Sequence, residues 1–221
     1  MSKIALYCCN YGNYRNELRH GLDKLIIDPK IDCFFYTDIE NMKSERWKIQ
    51  SVPFEKNTDT MTHTYRQMAK TTKFITPKEL SYYDIIIYID SKYVRRGSVS
   101  MKKTQLPSYD EIISNMEKYD FLCEKHPWRT QIKDEIDFTI RKKLENKEQV
   151  LTYYNNRKNK THSIDLIETG YMIRQNNERT TQLLKRVYDE LFRHDLKRDQ
   201  NVFNYVLDDM NFPKDRINLC L

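Results

Sequence analysis

Apolar positions along the chain fall into short runs, and the runs are of two kinds. Ile4-Ala-Leu-Tyr-Cys-Cys9, Asp32-Cys-Phe-Phe-Tyr-Thr37 and Tyr83-Asp-Ile-Ile-Ile-Tyr-Ile89 are brief and rich in β-branched or aromatic residues. Such runs predict buried strands. Trp47 to Val52 alternates and predicts a third strand; Tyr119 to Cys123 and Leu166 to Ile173 predict two more. Between them, apolar residues recur at helical spacing. Leu18, Leu22, Leu25 and Ile26 share a face, and Asp28-Pro29 stops that helix. Helices are also predicted over Thr64 to Phe74, over Tyr109 to Met116, and along the stripe Leu183, Leu184, Val187 and Leu191. Gln131 to Tyr154 predicts a highly charged helix with one break, its charges forming a solvated face. Asn155 to Lys160 is a polar loop. Lys197-Arg-Asp-Gln200 opens a last helix carrying Val202, Phe203 and Val206, and Ile217 to Leu221 reads as a final strand.

Strands alternating with helices predict an α/β three-layer sandwich around a mostly parallel sheet. Residues 1–221 read as one domain, either whole or a module of a longer protein. Ligands of such sheets bind beyond the carboxyl ends of the strands. The polar residues that follow each strand are therefore the informative ones: Asn10 to Asn13, Asp38, Asp90 to Lys92, His126 to Arg129, and Glu168 to Gly170.

Composition narrows the chemistry. Among 221 residues there are 4 glycines, too scattered for a dinucleotide-binding fingerprint or a P-loop. The 5 cysteines make no C-x-x-C, so neither structural zinc nor a disulfide framework is predicted. No long apolar stretch and no signal sequence stand out, which predicts a cytoplasmic protein without a membrane span. The net charge of +6 suits an anionic ligand. Lys and Arg are spread and interleaved with Asp and Glu, which argues against a nucleic-acid surface.

Asp90 follows the most apolar strand and would emerge at the ligand edge, as a metal ligand or as a turn cap. Arg66, Lys70 and Lys73 are spaced i, i+4, i+7 and would form one basic stripe suited to a diphosphate. His126 is a candidate metal ligand or acid/base group, or a structural histidine. Gly170 permits close approach of backbone to a ligand. Asp199 is either a helix N-cap or a carboxylate facing the site.

In order, these pieces resemble the GT-A-type glycosyltransferases. Tyr83 to Lys92 resembles their strand and D-x-D-like turn, Glu168-Thr-Gly-Tyr-Met-Ile-Arg174 their "[NE]-[ST]-G-x-[ML]" strand, and Lys197-Arg-Asp-Gln-Asn201 their "R-D-Q" helix start. A closer resemblance is to the glycosyltransferase-like family formerly catalogued as a domain of unknown function. There a basic helix, I-D-G-K, a K/R-H loop and R-D-Q follow one another, as do Arg66, Lys70, Asp90-Ser-Lys92, Lys125-His126 and Arg198-Asp-Gln200 here. Size, charge and the missing signal also resemble soluble glycosyltransferases that large DNA viruses use on capsid glycans. Where D-x-D has its second acid, this chain has Lys92, which puts metal dependence in question.

The resemblance implies transfer of a sugar from a nucleotide diphosphate sugar, with uracil the expected base, to a glycan or protein-linked acceptor, aided by Mn²⁺ or Mg²⁺. It implies Asp90 on the metal; Arg66, Lys70 and Lys92 on the diphosphate; and Asn10, Tyr11, Gly12 and Asp38 around base and ribose. His126, Gly170 and Gln200 would line the same donor site. Asp199, then Glu168, are the candidate general bases of an inverting course. Another nucleotide-using enzyme and a catalytically inactive sugar-nucleotide-binding domain are the alternatives.

Overall fold

A computed structural model of the chain describes residues 2–14, 25–52, 61–91, 106–157 and 164–219, leaving aside the side chains of residues 61–64. Lys92, most of the helix predicted around Leu18 to Ile26, and the end of the polar loop at residues 158–160 lie outside the described residues.

Seven strands form one sheet: β1 Ile4–Asn10, β2 Asp32–Thr37, β3 Lys48–Ser51, β4 Ile85–Ile89, β5 Phe121–Lys125, β6 Ile167–Gln175 and β7 Ile217–Asn218. Their order is β3-β2-β1-β4-β6-β5-β7. Four neighbouring pairs run parallel; β6 runs antiparallel to both β4 and β5. The sheet is thus mostly parallel, with the orientation of β6 the exception.

Period-two alternation sorts each central strand between two cores. Ala5, Tyr7 and Cys9 of β1 and Ile86 and Tyr88 of β4 face one core. Ile4, Leu6 and Cys8, with Ile85, Ile87 and Ile89, face the other. The first core is roofed by helices α1 (Met61–Phe74), α3 (Ile132–Arg141), α4 (Lys147–Asn155), α5 (Glu178–Arg193) and α6 (Phe203–Asp209). The second is covered by α2 (Tyr109–Lys118) through Tyr109, Ile112 and Met116. This is the three-layer α/β sandwich that the alternation predicts.

Two helices show how local sequence sets the boundaries. Ser108 and Glu111 form a reciprocal capping box that starts α2. The predicted charged helix breaks into α3 and α4 at Lys142 to Asn146, where Lys143 takes φ 53° and Asn146 caps α4 by accepting from the N–H of Glu148 and Gln149. Most of that helix's charge is solvated as expected, but Glu135 is fully buried. The final helix also departs from expectation. Asp199–Asn201 is a 3₁₀ turn, and α6 starts only after it. Among the described residues, no helix is long and apolar enough to cross a membrane.

Candidate active site

The parallel strands β1, β2 and β4 end on one edge of the sheet, and antiparallel β6 begins there. Between Cys123 and Glu124 the pairing of β5 with β6 slips from Met172 to Glu168. The slip bulges Thr169 to Tyr171 away from β5, while the Asp90 N–H still donates to the Gly170 carbonyl at 2.7 Å. Bulges of this kind re-aim side chains beside functional sites. Here Glu168, Thr169 and Asp90 arrive together at the edge.

The last two turns of α1 bring Lys70 and Lys73 to the same place. The Asp199 carboxylate, on the 3₁₀ turn, accepts from the Lys73 ammonium at 2.6 Å and lies 3.2 Å from that of Lys70. Lys73 also donates to the Thr169 hydroxyl at 3.1 Å and stands 3.7 Å from Asp90. The Tyr88 hydroxyl donates to the same Asp90 oxygen at 2.6 Å. Burial and the charge of Asp90 hold this phenol protonated. Burial alone would raise the Asp199 pKa, but the two ammonium groups outweigh it and hold the carboxyl well below its usual value. Burial lowers the Lys70 pKa, with Asp199 opposing.

A second cluster faces the first. Glu168 accepts from the Gln200 amide at 3.2 Å and from the Gly170 N–H at 3.2 Å. His126 Nδ1 accepts from the backbone N–H of Trp128 and Arg129, at 3.3 and 3.1 Å. Its Nε2 lies 3.8 Å from Glu135 and 4.0 Å from Glu168. Burial, then Arg129, lower the His126 pKa and favour the neutral ring. Behind it, the fully buried Glu135 carboxylate accepts from both Arg129 and Arg198. The two guanidinium groups also lie against the Phe138 ring, at 4.1 and 6.0 Å from its centre.

Lys70, Lys73, Asp90, His126, Glu168, Asp199 and Gln200 line an open cleft of about 440 Å³. Five cationic side chains (Lys70, Lys73, Arg129, Lys197 and Arg198) oppose three carboxylates (Asp90, Glu168 and Asp199). The surplus is positive, which suits a polyanionic ligand. At the rim the Trp128 ring is 68% exposed.

The structure brings together Lys70, Asp90, His126, Glu168, Gly170, Asp199 and Gln200 of the predicted set. Of the others that are described, none lines the cleft. Arg66, one turn before Lys70, is exposed and does not line the cleft. Tyr11 is buried, its hydroxyl 2.7 Å from that of Thr72. Asp38 accepts from the Gly12 N–H at 2.8 Å and so pins the β1–α1 side of the edge. Asn10 is buried; its amide closes a loop on Tyr14 and reaches Ser91 at 3.3 Å. Asp199 is no helix N-cap: the 3₁₀ turn is preceded by Arg198 and α6 by Val202. Sequence reasoning passed over Tyr88, Thr169 and Glu135. The first two sit within strands, where polar residues look like pleat, and Glu135 lies in a run of solvated charge.

Among the described residues, the divalent ion expected at Asp90 meets a donor set that does not suit it. At nucleotide sites such ions are held by one or two carboxylates, with water and substrate phosphates completing the oxygen shell, so those carboxylates must be open to a cation. Among the described residues, no three His, Cys, Asp or Glu side chains are grouped to hold one. The two nearby carboxylates already face ammonium groups.

Fold and cleft together define an α/β protein with an anion-receptive site at the carboxyl edge of its sheet. Residues 128–219 match the family of nucleotide-diphospho-sugar transferases. That segment holds Glu168, Gly170, Asp199 and Gln200. No curated protein matches the chain in sequence. Among solved structures it is similar to 4-diphosphocytidyl-2C-methyl-D-erythritol synthase from Anaerococcus prevotii, at 10% identity and a TM-score of 0.46, over 98% of this chain and 86% of that one. It is also similar to the galactosyltransferase LgtC in complex with donor and acceptor sugar analogues, at 10% identity and a TM-score of 0.47, over 90% and 69%. A third is the glycosyltransferase GlyE of Streptococcus pneumoniae, at 10% identity and a TM-score of 0.45, over 99% of this chain and 45% of that one.

Proposed function

We propose that the chain is a glycosyltransferase that takes a sugar from a nucleoside diphosphate sugar, with uridine the expected nucleoside, and passes it to a glycan or protein-linked acceptor. The observation that carries this is the pairing of Lys70 and Lys73 on one wall of the cleft with Glu168 and Gln200 on the other. The family match over residues 128–219 supports it.

In this scheme Lys70, with Lys197 and Arg198, faces the diphosphate. The bond from the anomeric carbon to the diphosphate oxygen breaks, and the acceptor oxygen forms the new bond to that carbon. Cationic side chains fixed before the reaction stabilise the charge that grows on the departing diphosphate. In an inverting course the acceptor's proton goes to a carboxylate. A useful base keeps a proton affinity near the working pH, and the two lysines take that from Asp199. We therefore assign the proton to Glu168 and make Asp199 the anchor of the lysines. The exposed Trp128 ring at the rim offers a flat apolar face to an acceptor sugar.

Thermal melting with UDP, GDP and CDP tests the donor site, because a ligand bound only by the folded chain raises Tm. One nucleotide should give a shift that Lys70→Ala abolishes. Absence of any shift at millimolar nucleotide overturns the proposal. Glu168→Gln should lower kcat by about a hundredfold or more while nucleotide binding persists. Trp128→Ala should raise the acceptor KM severalfold and leave the donor shift intact.

A further inference from the structure

We infer that Lys73 is the permanent cation of this site: its ammonium bridges Asp90 and Asp199, and the diphosphate is received by this ammonium and Lys70 with no divalent ion between. The inference rests on the donor site proposed above and concerns how that site meets its charge.

The setting of Lys73 differs from that of an ordinary surface lysine. It is 4% exposed, yet it lines the cleft. Oxygens surround the ammonium: Asp199 at 2.6 Å, Thr169 at 3.1 Å and Asp90 at 3.7 Å. The rings of Tyr88 and Phe74 close two further sides, at 5.1 and 5.2 Å from their centres. Three elements that meet only in the fold supply these partners: the end of β4, the bulge of β6 and the 3₁₀ turn. A buried ammonium is costly unless paired, and here two carboxylates pair it. The same two carboxylates are those a metal ion would need. An ammonium at hydrogen-bonding distance from one and close to the other repels a second cation from that space.

Lys70 completes the device. Its side chain is 19% exposed against 5% for Lys73, so it is the ammonium that extends toward an incoming phosphate. Asp199 holds both. Tyr88 holds Asp90 on the other side, which keeps the Asp90 carboxylate turned toward Lys73. The cationic charge that a metal would bring with the substrate is therefore part of the chain before substrate arrives.

The test has two arms, neither of which needs turnover. First, UDP, GDP and CDP are titrated into the wild-type protein by calorimetry, in EDTA and in Mn²⁺. The inference expects a nucleotide to bind in EDTA with an affinity within about twofold of that in Mn²⁺. An affinity at least about tenfold weaker in EDTA overturns it while leaving the donor site standing. No binding under either condition overturns the donor site itself. Second, Mn²⁺ alone is titrated and followed by electron paramagnetic resonance. Wild type should not bind it at millimolar concentration. Lys73→Ala, which removes the ammonium between the two carboxylates, should gain Mn²⁺ binding and lose at least about tenfold in metal-free nucleotide affinity. Unchanged nucleotide affinity in Lys73→Ala sinks the inference. Should that variant fail to fold, the wild-type comparison decides alone.

Discussion

Gly12 shows how little freedom single positions near the site retain. Its φ is +66°, and a Cβ added there would meet the Tyr65 ring at 2.7 Å. Both the left-handed backbone and the ring of α1 demand glycine. Gly12→Ala should cost about 1–2 kcal/mol from backbone strain alone, read as a lower midpoint in urea. The glycine was legible in the sequence within the Asn10 to Asn13 segment that follows a strand. Its role as a spacer against Tyr65 was not, because 52 intervening residues separate partners that only α1 brings together. Asp199 teaches a related lesson. Its sequence position allowed a helix cap or a site carboxylate; two lysines on a distant helix decided for the site and also set its acidity.

At the scale of elements, α3 and the 3₁₀ turn are clamped by one buried charge. Glu135 of α3 takes Arg129 from the loop after β5 and Arg198 from the turn that carries Asp199. Removing one member of a buried ion pair leaves its partners uncompensated. Glu135→Gln should therefore destabilise the fold by roughly 2–3 kcal/mol, since both guanidinium groups keep part of their surface in water. Donor binding should weaken too, because Arg198 and Asp199 share a turn. Urea midpoints and calorimetry check the two effects; a loss of stability with donor affinity intact would show that the clamp does not reach the site. The strand and helix positions themselves were readable, because period and turn residues are local signals. The direction of β6 was not. Leu166 to Ile173 is equally apolar whichever way it runs, and pairing with β4 and β5 alone sets its sense.

For the whole molecule, pH should act through two histidines. Burial lowers the pKa of His126 and of His194 from the ordinary 6.5. The folded chain then binds those protons less tightly than the unfolded chain. Above pH 6.5 neither state holds them and stability does not depend on these rings. As pH falls below 6.5 the unfolded chain gains protons first, so stability falls; it levels once pH passes below the folded-state values. Melting temperatures between pH 7 and 5 should show this decline, and His126→Gln combined with His194→Gln should flatten it. A slope unchanged in the double variant would place its origin elsewhere.

The sequence alone determined the layered α/β architecture, because strand and helix periods are written into neighbouring residues. It also determined the chemical inventory at the strand ends, with lysines, an aspartate after β4 and the Glu-Thr-Gly segment all in view. The tertiary structure decided what those groups do to one another. It set Lys73, rather than Arg66, beside Asp90, since the two lie a helix turn or more apart and only one end of α1 reaches the sheet edge. It buried Glu135 under two arginines and gave Asp199 two lysines. Charge pairing depends on distances between remote segments and on exclusion of water, and both arise only when the chain closes on itself.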